Sequence, residues 1–180
     1  MITNEIKKEL MVKIYNTAHI TGEFLLRSGK TSNEYFDKYL FEANPILLSQ
    51  ICDFMLPAIP PGTEILAGLE MGGIPIATML SYKSNITCAF VRKEAKEYGT
   101  CKLAEGADIN GKNVLVIEDV VTTGGQIIES VKELRARGAV VDTVLCVILR
   151  EAAAIDRLAA EGLTLVSAFT MEEIKQAVAN

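Results

Sequence analysis

The residues best suited to chemistry lie in one stretch near the middle of the chain, where two acids precede a turn rich in hydroxyls and glycine. The stretch runs Val-Leu-Val-Ile-Glu-Asp-Val-Val-Thr-Thr-Gly-Gly-Gln from Val114 to Gln126. Its apolar part predicts a buried strand, and its end predicts the start of a helix. Backbone N–H groups at a helix start attract a phosphate group. Glu118 and Asp119 would repel phosphate, so they suit ribose hydroxyls or a bound metal ion.

This combination of a phosphate-holding turn and neighbouring acids indicates a phosphorylated ribose as the ligand. The stretch contains neither the G-x-x-x-x-G-K-[ST] pattern of a P-loop nor the G-x-G-x-x-G pattern of a dinucleotide site. The simpler interpretation is a tight strand-to-helix turn with two exposed acids. The order of strand, acid pair, hydroxyls and glycines is more specific than a generic Gly-Gly turn, and it favours the binding site.

A basic run lies ahead of the acids, between Val91 and Gly106. It contributes four cations, at Arg92, Lys93, Lys96 and Lys102. Such a run is ordinarily a solvated charged loop. Cations on a closing loop can also stabilise the charge that develops on a pyrophosphate leaving group while they exclude water.

Composition excludes several other classes of protein. The 180 residues suit a single domain, 1–180, and the net charge of −5 argues against nucleic-acid or membrane partners. The four cysteines are scattered without a C-x-x-C pair, which predicts free thiols in a reducing cytoplasm. The single histidine, His19, lies between apolar neighbours and favours a structural role over Ser-His, Cys-His or metal chemistry.

Strands and helices alternate along most of the chain, which predicts an α/β fold with a doubly wound, mostly parallel sheet. Ligands of such sheets bind at the carboxyl ends of the strands. The predicted strands are 22–29, 31–37, 64–69, 87–91, 113–117, 140–149 and 164–169. The predicted helices are 4–16, 44–56, 74–82, 125–137, 152–160 and 171–178, with a long loop over 93–111.

The Val114–Gln126 stretch resembles the phosphoribosyl pyrophosphate (PRPP) signature of type I phosphoribosyltransferases. The run after Val91 resembles the R-K-E-x-K-x-[HY]-G loop of the orotate phosphoribosyltransferases. Other parts of the chain are similar to that family at Phe24–Ser32, Tyr35–Lys38, Gly68–Ala77 and Leu149–Glu151.

The resemblance implies a type I phosphoribosyltransferase fold with a small N-terminal hood and a flexible catalytic loop. The hood, which binds the base, would comprise about 1–40 and the C-terminal end, and the loop about 93–111. It implies transfer of a 5-phosphoribosyl group from PRPP to orotate, giving orotidine 5′-monophosphate and pyrophosphate in pyrimidine biosynthesis. It further implies Mg²⁺ and a cytoplasmic homodimer with shared active sites.

The resemblance also assigns roles residue by residue. It gives catalytic roles to Lys96, Lys102, Arg92 and Asp119. It assigns PRPP binding to Arg27, Arg92, Lys93, Lys96, Tyr98, Glu118, Asp119, Val120, Val121, Thr122, Thr123, Gly124, Gly125 and Gln126. It assigns orotate binding to Tyr35, Phe36, Lys38, Thr122 and Arg150. Mg²⁺ would be held mainly by PRPP, with Glu118 or Asp119 as the available protein ligands.

Two positions depart from the family's pattern. Tyr98 stands where many bacterial members have a loop histidine, so no imidazole can act there. Met71 and Gly72 replace a Tyr-Lys pair of some members, which removes a cation near the pyrophosphate. Lys102 and Arg27 are the residues expected to compensate.

Three other functions fit parts of the sequence. A purine phosphoribosyltransferase would share the ribose-phosphate site, although Tyr35–Lys38 and Arg150 favour orotate. A regulator that binds PRPP without chemistry would need a nucleic-acid surface, which the charge disfavours. An α/β domain with a vestigial turn conflicts with the intact acids and loop cations.

Overall fold

The structure is a computed structural model that describes residues 4–25, 29–93 and 103–179. In these residues the helices are α1 (Asn4–Ala18), α2 (Lys38–Glu42), α3 (Pro45–Met55), α4 (Gly73–Ser84), α5 (Gly125–Ala136), α6 (Ala153–Ala159) and α7 (Met171–Ala179). The strands are β1 (His19–Leu25), β2 (Thr31–Phe36), β3 (Ile65–Leu69), β4 (Thr87–Val91), β5 (Ala104–Gly106), β6 (Asn113–Val121), β7 (Val140–Leu149) and β8 (Thr164–Thr170).

Six strands form the main sheet in the order β5-β4-β3-β6-β7-β8. All neighbouring pairs are parallel except β4 and β5, which are antiparallel. This arrangement confirms the predicted α/β fold with a mostly parallel sheet. Strands β3 and β6 are neighbours, so their carboxyl ends meet at one edge of the sheet, the usual place for a ligand in such folds.

Apolar residues cover both faces of the sheet, which explains the uninterrupted apolar runs of the central strands. One face packs against α1, α3, α4 and α7 through residues such as Ile14, Ile51 and Leu80. The other face packs against α5 and α6 through residues such as Leu134 and Leu158. Both layers hold β6 from the two sides, so the strand that carries the acids is fixed in the centre of the fold.

Four elements differ from the sequence prediction, and the first of them, β1, begins at His19 instead of residue 22. Strand β6 was expected to end at Ile117, before the acids, but it continues to Val121 because it pairs with β7 as far as Leu149. The loop predicted over 93–111 contains the short strand β5, whose Ala104 pairs with Val91. Helix α2 was not predicted, and its five residues begin after Asp37, whose side chain accepts a hydrogen bond from the Tyr39 N–H.

A separate hairpin of β1 and β2 stands at the N-terminal side of the fold. His19 lies in this hairpin, where its ring stacks on Tyr15 and its Nε2 is 2.8 Å from Glu34 Oε2. Helix α1 packs against α7, and Lys7 Nζ lies 2.6 Å from Glu173 Oε1. The first and last helices are therefore neighbours. None of the helices described is long and apolar enough to cross a membrane.

Candidate active site

A cleft of about 1080 Å³ opens at the carboxyl ends of β3 and β6. Its wall includes eleven of the residues assigned from the sequence, which are Lys38, Lys93, Glu118, Asp119, Val120, Val121, Thr122, Thr123, Gly124, Gly125 and Gln126. The fold therefore gathers in one cavity the acids, the hydroxyl- and glycine-rich turn and two of the cations. Met71, noted above as a departure from the family's pattern, also lines this cleft, as do Tyr39 and Glu70, which received no role from the sequence.

The turn from Thr122 to Gly125, here called the phosphate turn, connects β6 to α5. Gly124 has φ +77°, a left-handed conformation that glycine adopts without strain, and α5 begins at the next residue. The exposed hydroxyl residues Thr122 and Thr123 precede it. Free N–H groups at the start of α5 give this turn the chemistry of an anion site, and the turn faces the cleft.

The two acids lie inside β6 rather than beyond its end. Asp119 is fully buried, and its Oδ1 accepts a 2.5 Å hydrogen bond from the Val120 N–H. Its other oxygen, Oδ2, lies 2.5 Å from Lys38 Nζ. Glu118 Oε1 accepts a hydrogen bond from the Asp119 N–H at 3.0 Å. The strand backbone and Lys38 thus hold both carboxyl groups in place before any ligand arrives.

Glu42, at the end of α2, is a third carboxyl group in this region that the sequence did not reveal. It is buried, and its Oε1 has no hydrogen-bond partner among the described residues. Both Glu42 Oε1 and Asp119 Oδ2 lie within 3 Å of the point where a Cβ on Gly72 would stand. The only sequence signal for this contact is an acid at the end of a short apolar run.

These groups set one another's ionisation. Burial and the neighbouring Asp119 raise the pKa of Glu42 to about 9. The same two causes raise the pKa of Glu118 well above its ordinary value. Burial opposes ionisation of Asp119 too, but hydrogen bonds with Glu118 and Lys38 outweigh it and lower its pKa. The ion pair with Asp119 likewise outweighs burial and raises the pKa of Lys38. Asp119 and Lys38 are therefore the charged pair of the site near neutral pH.

Gly72 is a glycine because Asp119 occupies the space beside it. A Cβ at this position would come within 1.6 Å of Asp119 Oδ2, so no side chain fits without displacing the acid. A lysine at position 72 is therefore incompatible with this packing. Lys38 brings an ammonium group to the same oxygen of Asp119. Arg27 and Lys102, the two residues expected to compensate, lie outside the described residues.

The strand end before the predicted catalytic loop is tied to the cleft by Glu70. Its Oε1 accepts a 2.6 Å hydrogen bond from the Lys93 N–H. The Arg92 N–H donates to the Leu103 carbonyl at 2.9 Å, and its side-chain Nε is buried with no partner among the described residues. Lys96, Tyr98 and Lys102 lie outside the described residues.

The structure does not place every predicted base-binding residue on this cleft. Tyr35 packs its ring against Phe24 in the hairpin, and Phe36 contacts the core beneath it. The Arg150 N–H donates to the Val121 carbonyl at 2.8 Å. Its exposed side chain lines a separate groove with Met171 and Lys175 of α7. Thr122 and Lys38 do line the cleft.

Cys146 lies in β7 directly opposite Glu118 in the β6–β7 register. Its thiol is fully buried, and burial together with the adjacent carboxyl groups raises its pKa. A thiol held neutral in this way is a packing residue beneath the acids and is unsuited to act as a nucleophile.

The sheet order, the buried acids and the phosphate turn together define a phosphoribosyltransferase domain, and the family model "Phosphoribosyl transferase domain" matches residues 47–178. An orotate phosphoribosyltransferase from Nocardioides is 49% identical over 93% of this chain and 94% of its own. An orotate phosphoribosyltransferase of Mycobacterium tuberculosis, solved with inorganic phosphate, superimposes with a TM-score of 0.83 at 26% identity, covering 96% of this chain and 99% of that one. The same protein solved with PRPP gives a TM-score of 0.79 at 26% identity, covering 94% and 99%. The chain belongs to the orotate phosphoribosyltransferases, a family of transferases.

Proposed function

We propose that this enzyme transfers the 5-phosphoribosyl group from PRPP to orotate, forming orotidine 5′-monophosphate and pyrophosphate in de novo pyrimidine biosynthesis. The observation that carries the proposal is the buried Asp119, held by Lys38 beside the phosphate turn in one cleft. The family membership of the chain agrees with this chemistry.

Each part of the cleft has a role in this reaction. The phosphate turn binds the 5′-phosphate through N–H groups and hydroxyls. Glu118 and Asp119 accept hydrogen bonds from the ribose hydroxyls. The bond between the anomeric carbon and the pyrophosphate oxygen breaks through an oxocarbenium-like state, and the fixed charge of Asp119 stabilises the positive sugar. The ring nitrogen of orotate forms the new bond while its proton passes to the leaving pyrophosphate, so no covalent enzyme intermediate is needed.

Mg²⁺ is the cofactor that we propose. The described residues contain no group of three or more His, Cys, Asp or Glu side chains placed to hold a metal ion. We propose that the ion is carried mainly by the oxygens of PRPP, with Glu118 or Asp119 as the protein's oxygen ligands. When bound, such an ion offsets the negative charge of the leaving pyrophosphate.

The loop cations are proposed to act on the same leaving group. Arg92 and Lys93 stand at the start of the loop, and Lys93 lines the cleft. Lys96, Tyr98, Lys102 and Arg27 complete the proposed PRPP contacts. The dimer that we propose would bring some of these loop residues to the active site of the neighbouring subunit.

The hood is proposed to hold the base. Within the hood, Asp37 connects the β1–β2 hairpin to α2, and its N–H donates a hydrogen bond of 2.8 Å to the Ala18 carbonyl. Tyr35 and Phe36 would pack beside the pyrimidine ring, and Lys38, Thr122 and Arg150 would bind its carbonyl and carboxylate oxygens. The free thiols of Cys52, Cys88 and Cys146 support a cytoplasmic location.

The test is orotate depletion followed by ultraviolet absorbance in the presence of PRPP and Mg²⁺. Adenine, hypoxanthine and uracil are run in parallel, beside a Lys96→Ala variant. We expect turnover of orotate alone, and its collapse in the variant. Turnover of a purine would reject the assigned base and keep the PRPP site. Binding of PRPP without turnover of any base would identify a regulator instead.

A further inference from the structure

Helix α6 contacts the phosphate turn but contributes no residue to the lining of the cleft. The Arg157 Nη1 donates a hydrogen bond of 3.1 Å to the carbonyl oxygen of Thr123. The next residue, Leu158, is fully buried, and its Cγ lies 3.3 Å from the point where a Cβ on Gly124 would stand. One residue of α6 thus holds a carbonyl of the turn, and its neighbour packs under the adjacent glycine.

The orientation of the Thr123–Gly124 peptide decides whether the turn attracts or repels an anion. In a trans peptide the C=O and the following N–H point in opposite directions. When the Thr123 carbonyl points towards α6, the Gly124 N–H points away from α6. Thr123 and Gly124 both line the cleft and no residue of α6 does, so the group that points away from α6 is the one available to a ligand in the cleft. A phosphate there meets an N–H donor, whereas a reversed peptide would present it with a carbonyl oxygen.

Gly124 makes this orientation uncertain unless something fixes it. Glycine populates positive and negative φ about equally, so rotation of the peptide before it meets little steric resistance. The φ of +77° observed here is therefore one of several values open to the residue. The hydrogen bond from Arg157 selects one orientation because it satisfies the carbonyl only when that oxygen faces α6.

We propose that Arg157 is a positioning residue for the 5′-phosphate: it holds the Thr123 carbonyl on α6 and thereby aims the Gly124 N–H at the ligand. It acts through the backbone of the turn and touches no substrate. The inference rests on the proposed function, since it takes the phosphate turn as the site of the PRPP 5′-phosphate. The side chain of Arg157 is exposed, so its truncation leaves both core layers intact.

The test compares Arg157→Ala and Arg157→Lys with Lys132→Ala. Lys132 is a matched control because its Nζ ties α5 to the segment after α6, at 3.1 Å from Glu161 Oε1, and its loss changes the charge equally. We expect Arg157→Ala to raise the KM for PRPP about five- to tenfold, the effect of one lost hydrogen bond to the site's framework. The kcat and the KM for orotate should stay within about twofold, and the lysine variant should recover part of the loss.

Direct binding separates this inference from the proposed function. Titration calorimetry with ribose 5-phosphate and, separately, with pyrophosphate reports on the two ends of PRPP. We expect Arg157→Ala to weaken ribose 5-phosphate and to leave pyrophosphate unchanged. If the unaltered enzyme binds neither ligand, the proposed function itself fails. If it binds both and Arg157→Ala behaves like Lys132→Ala, the positioning role alone is rejected. A fall in kcat together with a similar rise in the KM values for PRPP and for orotate would also reject the positioning role, since that pattern indicates general damage to the fold. Arg157→Lys then shows whether a folded variant has the same kinetics.

Discussion

At the scale of single residues, the site depends on packing around one carboxylate. Asp119 has Lys38 on one oxygen, a backbone N–H on the other, and Gly72 against its face. Buried charges in such settings keep their ionisation only while their partners stay in place, because solvent cannot replace them. The precise position of this acid is therefore sensitive to small changes in its neighbours.

The first prediction concerns Gly72. Replacing it with alanine places a methyl group at 1.6 Å from Asp119 Oδ2, so the acid or the β3–α4 turn must move. We expect kcat/KM to fall by about a hundredfold and stability to fall by about 1–3 kcal/mol, the usual cost of overpacking. Steady-state kinetics and urea unfolding measure the two effects.

Met71→Ala is the control for that substitution. Met71 is 61% exposed and precedes Gly72 directly, so its truncation changes the same turn without touching the acid. Activity in Gly72→Ala equal to that of Met71→Ala would show that Asp119 does not need the space beside position 72.

The second prediction concerns pH and Glu42. The folded state raises the pKa of Glu42 from its ordinary 4.5 to about 9, so between those values the folded protein holds a proton that the unfolded chain has lost. The contribution of this proton to the free energy of unfolding is fully present below the pKa of the unfolded chain. It is lost as the pH rises through the pKa of Glu42 in the folded protein. Glu42→Gln keeps the shape of the protonated acid and cannot titrate.

Thermal unfolding of the two proteins at about pH 5.5 and about pH 8.5 measures this effect. We expect the Tm of the glutamine variant, relative to that of the unaltered protein, to rise by on the order of 10 °C from the lower pH to the higher one. A difference that does not change with pH would mean that Glu42 is ionised in the fold.

At the scale of elements, the long strands and helices could be predicted from the sequence, whereas the shortest elements could not. The continuous apolar runs of β6 and β7 predicted buried parallel strands, and the glycine turn predicted the start of α5. Helix α2 has only five residues, too few to show a 3.6-residue period, and β5 has only three. The acids were placed after β6 because charge ordinarily ends a buried strand, whereas pairing with β7 continues through them.

In the candidate site, residues that are adjacent in the sequence could be predicted, whereas those contributed by distant helices could not. Adjacent residues of the chain, such as Glu118 and the phosphate turn, could be assigned together because the local pattern carries its own chemistry. Glu42 and Arg157 reach the site from α2 and α6, and each has an ordinary sequence context. Their contacts depend on how helices pack on the sheet, which no local pattern encodes.

The third prediction tests α2 as the support of Lys38. Asp37 caps this helix through the Tyr39 N–H at 3.1 Å. Asp37→Ala should cost about 0.5–2 kcal/mol in urea unfolding, the usual cost of a lost N-cap, and should raise the KM for orotate as Lys38 loses its fixed position.

Asp37→Asn is the matched variant, since asparagine caps helices as well as aspartate does. Asp37→Asn should restore both the stability in urea and the KM for orotate to those of the unaltered protein. Full activity in a destabilised Asp37→Ala protein would separate the helix from the placement of Lys38.

At the scale of the whole molecule, the proposed dimer makes its own prediction. If loop residues act in the neighbouring subunit's site, Lys96→Ala and Asp119→Asn damage different halves of each site. Mixing the two inactive proteins should restore activity, because a mixed dimer contains one intact site. With random exchange in equal amounts, about a quarter of all sites become functional.

Orotate turnover measured after subunit exchange tests this. Each variant alone provides the baseline, and a mixture of Lys96→Ala with a second preparation of itself is the control for exchange. Activity that stays at the baseline after proven exchange would place Lys96 in the site of its own subunit.

Cys146, opposite Glu118 and buried in the core layer under α5 and α6, can report on opening of the fold beside the site. Its thiol can meet an alkylating reagent only when the core layer under α5 and α6 opens, and its raised pKa slows the reaction further. The rate at which this cysteine is labelled therefore reports how often the core opens beside β6, the strand that carries the acids. A ligand that binds those acids would slow the labelling in proportion to its affinity, so the protein's own sulfur can follow substrate binding without any activity assay.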